Sequence, residues 1–557
     1  MSEKVFHLGI CMAGAVSAGA YTAGVMDFLL EALDEWEKRR GEPDVPKHRV
    51  VISVIGGASA GGMTGIMTAA AVNRPIVPVK VPPSGESLDK HPENLFYHTW
   101  VDMLADDMFS LMLDKTDIDK NKSVEALLNS SFIDKLAENA LAPDADYNDA
   151  PPYIAPELKV FCTLTNLEGL KYNIAFKSEI MQNRYNMAVH NDYACFNLNA
   201  TEYKNDGWLP LHFKTGLNTD IAKDVAMATG AFPAGLKSRV VKRPRKAVMH
   251  HPWLNLTDNT DTSENEEDWY ITQNVDGGLI NNEPFEKVRW LLNDITGQIS
   301  EAEQDDYQCF KSAVVLIDPF PSEKASGFSI NQHLFPTIAI TLSAVTQQMR
   351  AKPSSLINAM SPEKAGQYLI APTRYTDSNK GTARKTEGSK AIACGAFDGF
   401  SGFMEKEFRI HDYFLGRYNC EMFLRNYFVV PSDSLSAHPL FSEGYAGVDQ
   451  SLFKSFHSES IQIIPVFKKI ESGYYPIPFF QSGMQWPQIN PATLQKFDGA
   501  LKKRVEALLL NAFPLNKFWR SILLVVSKLF LGKILAEKIS AAMYDSLHAH
   551  GLLKQGK

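Results

Sequence analysis

The sequence predicts an α/β protein: a three-layer α/β/α domain built on a mainly parallel sheet, followed by a mostly helical C-terminal region. Three observations carry this. Apolar, β-branched runs alternate with helical patterns through the first 320 residues. Gly-rich turns link strand to helix, the rhythm of parallel βα units. Beyond about Ser322 the alternation stops. We therefore expect two domains, 1–322 and 323–557.

The first strand is expected over Lys4 to Cys11, and a helix after Gly19, where Val25, Phe28, Leu29, Ala32, Leu33 and Trp36 recur at three- and four-residue steps. Lys38, Arg39 and Arg40 suit the negative end of its dipole, and Gly41 can end it. "HRVVISVI" reads as the second strand and "GGMTGIMTAAAV" as the helix behind it. A Pro-rich loop leads to a mostly helical section from Leu95 to Leu141. "ELKVFCTLTNLEG" and "LKYNIAF" read as two strands joined by a turn at Glu168-Gly169. "DIAKDVAMATGAFPAGL" is helical until Gly230; an acidic loop, "NLTDNTDTSENEED", then precedes the strand "WYITQNVDGGLI". "SAVVLIDPFP" is expected to be the last strand of the sheet, and "RYTDSNKGTARKTEGSK" a polar loop.

The bulk composition excludes several classes. The chain has 557 residues, 45% hydrophobic and 22% charged, which are ordinary globular values with room for a large core. A formal net charge of -8 gives no global nucleic-acid signature. The six cysteines are scattered without a C-x-x-C pair, against both a zinc site and a disulfide framework. The N-terminus lacks a signal peptide's basic region and apolar core, and no window reaches the roughly 18 apolar residues of a membrane span. The expectation is a cytoplasmic, non-spanning protein.

"VVISVIGGASAGGMTGIMTAAA" places Gly57-Ala58-Ser59-Ala60-Gly61 between a strand and a helix. A G-x-S-x-G pattern at such a junction can raise a serine on a strained elbow, for which the neighbours must be small. The helix behind it aims its N-terminal dipole at any oxyanion formed there. The same residues also suit a tight turn without chemistry. A serine needs a base. None of the fourteen histidines stands in a setting that recommends it. Asp276, at the end of a strand expected to be parallel and followed by Gly277-Gly278, is the better candidate, though an Asp-Gly turn is the stronger reading of that segment taken alone. The earlier turn "CMAGAVSAGAY" offers backbone N–H groups to an anion. Val16 stands where G-x-G-x-x-G needs its second glycine, and there is no G-K-[ST], so neither nucleotide fingerprint is present.

In chain order, an anion-ready turn, G-x-S-x-G on the next strand–helix junction and a distant D-G-G resemble the patatin-like phospholipases. Asn282 and Pro284 fall where that family's "ANNP" has Asn and Pro, and "ATGAFPAG" is similar to its "ASxAxPxxF" helix end. The resemblance runs from about Val5 to Pro321. It implies a Ser-Asp dyad, with Ser59 as nucleophile, Asp276 as general base, and Gly14, Ala15 and Val16 as oxyanion donors. The family's "GGGxRG" is here Gly14-Ala15-Val16-Ser17-Ala18-Gly19, and "GAVSAGAY" looks closer to the "GGVSLAVY" of longer bacterial patatin-related proteins. The implied reaction is hydrolysis of an acyl-ester lipid, a phospholipid for instance, at a membrane surface. No cofactor or metal is called for and no nucleic-acid partner; a homo-oligomer is left open. Two other readings stand beside it: an esterase with a Ser-Asp-His triad, for which Ser59 comes early in the chain, and a catalytically silent lipid-binding scaffold.

Three further segments have two readings each. "NKFWRSILLVVSKLFLGKILAEKIS" suits a membrane-surface helix or a docking helix, and "KSRVVKRPRK" a headgroup patch or a solvated loop. "FDGFSGFMEKEFRIHDYFLGRYNCEMFL" suits a lid or a structural ion-pair network, with Arg409, His411, Asp412 and Arg417 as its charges.

Overall fold

The computed structural model describes residues 5–82, 90–121, 123–143, 147–175, 184–253, 269–321, 363–376, 384–469, 476–512 and 532–554, with scattered positions between 330 and 361. Its centre is the sheet that the apolar runs require. Strand β1 (Val5–Met12) lies between β2 (Arg49–Gly57) and β8 (Ser312–Ile317), parallel to both. The long β3 (Ile154–Ala175) runs parallel to β2 on its other side. β4 (Arg184–Leu198) is antiparallel to β3, and β5 (Leu209–Leu211) closes that edge. β6 (Arg239–Pro244) and β7 (Trp269–Asp276) form an antiparallel ribbon attached to β3.

Period-two alternation along β1 explains the layers. Leu8, Ile10 and Met12 belong to the main core, whereas Cys11 joins a second cluster with Val54, Phe161 and Leu316 on the opposite face. Helices α1 (Gly19–Lys38), α2 (Ser59–Ala71) and α3 (Thr219–Thr229) contribute to the first cluster, and α4 (Phe285–Thr296) covers the second with Val288 and Leu292. The mixed, mostly parallel sheet flanked by helices is the expected α/β class.

Four expectations are corrected. β3 does not turn back at Glu168-Gly169: it continues through a register shift between Thr165 and Leu170, where Gly169 takes a φ of +77°. One strand therefore serves three neighbours, β2, β4 and β7, with the glycine absorbing the irregularity. β7, which ends in Asp276, is antiparallel to β3 and β6 rather than parallel. β8 is not the last strand, because β9 (Gln367–Ile370) pairs with it in parallel. The segment expected as a polar loop contains an antiparallel pair, Thr373–Thr376 with Arg384–Glu387. The acidic loop and residues 516–531 of the proposed surface helix lie outside the described residues.

Past the expected boundary at 322, α5 (Lys406–Asn426) packs on α1 at backbone contact. A Cβ on Gly24 would fall 1.9 Å from the Tyr413 carbonyl oxygen, and one on Gly416 would fall 2.1 Å from that of Tyr21. Arg417 pairs across this seam with Asp27 and Glu31, and the Tyr21 hydroxyl donates to Asn419 Oδ1 at 3.0 Å. The Arg/Asp-rich segment thus carries the ion-pair network.

The basic run is largely satisfied within the fold. Arg243 and Asp192 form a buried pair, Arg239 meets Asp134, and Lys237 meets Glu125 at 2.9 Å. Lys242 lies over the Trp269 ring at 4.6 Å. Removing Arg243 leaves a buried carboxylate without its cation, so Arg243→Ala is expected to cost about 3–5 kcal/mol in chemical denaturation. Lys242→Ala, losing only an exposed ring contact, is expected to cost about 1 kcal/mol or less in the same measurement.

Candidate active site

The register of β2 delivers Ser59. The strand ends at Gly57, Ala58 is still extended at φ -126°, and Ser59 opens α2 with a φ of +51°. That left-handed conformation disfavours a residue with a Cβ by on the order of 1–3 kcal/mol, so the surroundings must hold it. The Ser59 N–H donates to Thr229 Oγ1 at 3.0 Å, and the Thr229 hydroxyl donates to the Thr163 carbonyl at 2.8 Å. Gly61 lets α2 pass close to β1: a Cβ there would fall 2.3 Å from the Met12 carbonyl oxygen. Gly57 sits beneath the first turn of α2 in the same manner, 2.7 Å from the Gly61 carbonyl group by the same measure.

Asp276 arrives from the other side of the sheet. Its N–H donates to the Ala231 carbonyl at 2.9 Å, and its carbonyl accepts from the Thr165 hydroxyl at 2.8 Å. These two bonds fix the end of β7. The carboxylate then spans two donors: Ser59 Oγ donates to Oδ2 at 2.6 Å, and the Gly278 N–H donates to Oδ1 at 2.7 Å. Gly277 lies against the Thr163 backbone, 2.0 Å from its carbonyl oxygen if it bore a Cβ, so the D-G-G turn can follow β3 closely. Burial drives the Asp276 carboxyl up to about 7, although both hydrogen bonds pull it down. Among the described residues no histidine hydrogen-bonds to Ser59 or Asp276, which leaves the triad reading without a third member.

Beside Ser59 is the turn that follows β1. Gly14 abuts both the serine and Asn282: a Cβ on it would fall 2.9 Å from Ser59 Cβ and 2.4 Å from Asn282 Oδ1. Ala15 has a φ of -148°, and Val16 is held at +48°, a rare conformation for a β-branched residue. No hydrogen bond among the described residues uses the N–H groups of Gly14, Ala15 or Val16, while the N–H of Ala18 donates back to the Ala15 carbonyl at 2.8 Å.

Ser59 and Val16 open into a cavity of about 130 Å³. Its walls are almost entirely apolar: Met63, Met67, Trp100, Leu136, Ala226, Phe232, Phe400 and Phe403. Lys237 and Arg239 are the charged residues of its lining. Such a hole suits a hydrocarbon chain and offers little to a polar substrate.

Ser59, Asp276, Gly14, Ala15, Val16, Gly57, Gly61, Gly277 and Gly278, all singled out from the sequence, converge on this one place. Sequence reasoning missed Thr229, Thr163 and Thr165, which hold the backbones of the two central residues, and Phe400 and Phe403, which come from far down the chain. Thr229 stood inside the "ATGAFPAG" segment, but nothing local marked its hydroxyl. No group of acidic, histidine or cysteine side chains suited to a metal ion occurs among the described residues.

A strand–elbow–helix serine above a mostly parallel sheet, facing an apolar cavity, defines the class of lipid acyl hydrolases in general terms. The family model for the patatin-like phospholipases matches residues 10–289, and the chain belongs to that family. It is also 29% identical over 564 aligned residues to an uncharacterized protein, y4iI, of Sinorhizobium fredii, covering 91% of this chain and 76% of that one.

Proposed function

We propose that this chain is a serine lipid acyl hydrolase of the phospholipase A or lysophospholipase type, working through a Ser59–Asp276 dyad. The observation that carries the reading is the 2.6 Å hydrogen bond between the two side chains at the wall of an apolar cavity. Asp276, ionised, takes the proton of Ser59 as Oγ attacks the acyl carbonyl carbon. The oxyanion faces the free N–H groups of Gly14, Ala15 and Val16 and the N-terminal end of α2. As the tetrahedral intermediate collapses, Asp276 returns the proton to the leaving alcohol, and the acyl group remains on Ser59. Water, deprotonated by Asp276, then releases the fatty acid.

Residues 1–322 carry this chemistry, and 323–557 support it from behind and beside. No helix among the described residues is long and apolar enough to cross a membrane. We place the enzyme on the cytoplasmic face of a membrane as a peripheral protein.

A fluorophosphonate probe tests the dyad. Folded wild type is expected to label at Ser59, and Ser59→Ala to lose both the label and phospholipid hydrolysis, the latter by about 10⁴-fold or more. Labelling that survives in Ser59→Ala refutes the assignment. A silent lipid-binding protein is the second reading, favoured by Ala15 and Val16 in place of glycines; absence of label on folded wild type would support it.

A further inference from the structure

We infer that the segment Ala396–Phe403, from the C-terminal region, is a working part of the active site: it holds the oxyanion turn in position and sets the shape of the acyl cavity. The inference rests on Gly14, Ala15 and Val16 being the oxyanion donors. Its observations are independent of that reading.

Ser17, fully buried, is the hinge. Its hydroxyl donates to the Gly399 carbonyl and accepts from the Gly402 N–H at 3.1 Å. The donor and one acceptor position of this side chain thus serve a segment 382 and 385 residues away. Gly399, at φ +90°, leans on the strained residue itself: a Cβ there would fall 3.1 Å from Val16 Cβ. Phe397 and Asp398, before it, are also left-handed, at +52° and +49°. The two non-glycine residues cost conformational energy there, and the turn they form with Gly399 lies against Val16, Ser17 and Phe320. The segment is in turn anchored by the Phe397 N–H, which donates to Ser546 Oγ at 2.7 Å in α7 (Gly532–Ala549). Asp412 of α5 accepts the N–H groups of Ala393 and Cys394 at 2.7 and 2.8 Å, fixing the approach to it.

Phe400 and Phe403, from the same few residues, line the cavity. Phe400 packs edge-on against Phe232, with ring centroids 5.8 Å apart, so the two phenyl groups close one wall. A glycine-rich turn can take its angles unaided. A turn reading Gly14-Ala15-Val16 needs an external support, and this segment supplies it. Ser17 and Gly399 are therefore positioning residues, and Phe400 and Phe403 specificity-determining ones.

The full-length chain, assayed on nitrophenyl esters from butyrate to palmitate, tests this. Ser17→Ala is expected to lower kcat about 10–100-fold at every chain length with KM little changed, as for loss of oxyanion stabilisation. Affinity for an alkyl trifluoromethyl ketone, whose adduct carries an oxyanion, is expected to fall in parallel, whereas affinity for palmitate is not. Gly402→Ala, which drives a methyl group into Cys394 and Ser17, is expected to act in the same direction. Ser546→Ala, remote and half-buried, is expected to give a milder loss of about 2–5-fold. Phe400→Ala is expected to change the ratio of palmitate to butyrate ester turnover by about 5-fold or more. Folded Ser17→Ala and Ser546→Ala proteins with wild-type kcat and ketone affinity would overturn the inference; should Ser17→Ala not fold, the Ser546→Ala result decides alone. Hydrolysis retained in Ser59→Ala would instead overturn the dyad beneath it.

Discussion

Asp276→Asn is expected to abolish turnover while making the protein more stable at pH 8. The exchange keeps the shape and both hydrogen-bond positions of the side chain but removes the base, so kcat should fall by about 10³-fold or more. The stability gain follows from burial. The carboxyl is driven up to about 7 in the folded protein, above its value near 3.8 in an unfolded chain. A group whose folded pKa is raised stabilises the fold fully below the unfolded value and loses that contribution as pH climbs to the folded one. Between about pH 4 and pH 7 wild type should therefore lose on the order of 4 kcal/mol that the Asn variant keeps. Urea unfolding at pH 4.5 and at pH 8 would measure it: about 1 kcal/mol of difference or less at the first and the larger part at the second. In wild type, kcat/KM should rise about tenfold per pH unit up to about 7 and then level off. A bell centred below pH 6, or equal stability of the two proteins at pH 8, would contradict this assignment of the base.

Gly24→Val should be the most damaging substitution outside the active site. The valine Cβ would overlap the Tyr413 carbonyl oxygen, and because the obstacle is backbone, no rotamer change relieves it. Helices α1 and α5 would have to separate, breaking the pairing of Arg417 with Asp27 and Glu31 inside a closed core. The expected cost is about 4 kcal/mol or more, measured as loss of a cooperative thermal transition or of folded protein altogether. Gly499→Ala, on α6 (Pro491–Asn511), is the control. Nothing lies within 4 Å of a Cβ at Gly499, so the better helix former should stabilise by about 0.5–1 kcal/mol.

What the sequence made legible is what strain demands locally. An elbow at φ +51° needs small neighbours, so Gly57, Ala58, Ala60 and Gly61 stand out as letters. The D-G-G turn must clear the Thr163 backbone, and its glycines stand out equally. The central strands were visible as apolar runs because both of their faces are buried, and α1 by the three- and four-residue steps of its apolar residues. Less legible was anything decided by pairing over distance. That β7 runs antiparallel is decided by its pairing with β6 and with Leu164–Asn166 of β3, and no strand records its partner's direction. β9 carries the same short apolar pattern as many edge or loop segments; only the free edge of β8 makes it part of the sheet. Thr229 and Ser17 are single hydroxyls among many, given meaning by Ser59 and by Gly399.

The seam between α1 and α5 also sets when this protein can exist during synthesis. Ser59 leaves the ribosome early, yet the partner of Gly24 is Tyr413, encoded hundreds of codons later, and β9 must still close the edge of β8. Gly416 follows Asp276 by 140 residues, a wait of roughly 7–28 s at about 5–20 residues per second. Through that interval both members of the dyad have been made, while α1 lacks the helix that packs on it, and β8, once made, has an unpaired edge until β9 follows. In that state the chain carries exposed apolar surface and an open sheet edge, and its hydrolytic site stays unfinished until the segment that reaches Ser17 and Val16 has been made.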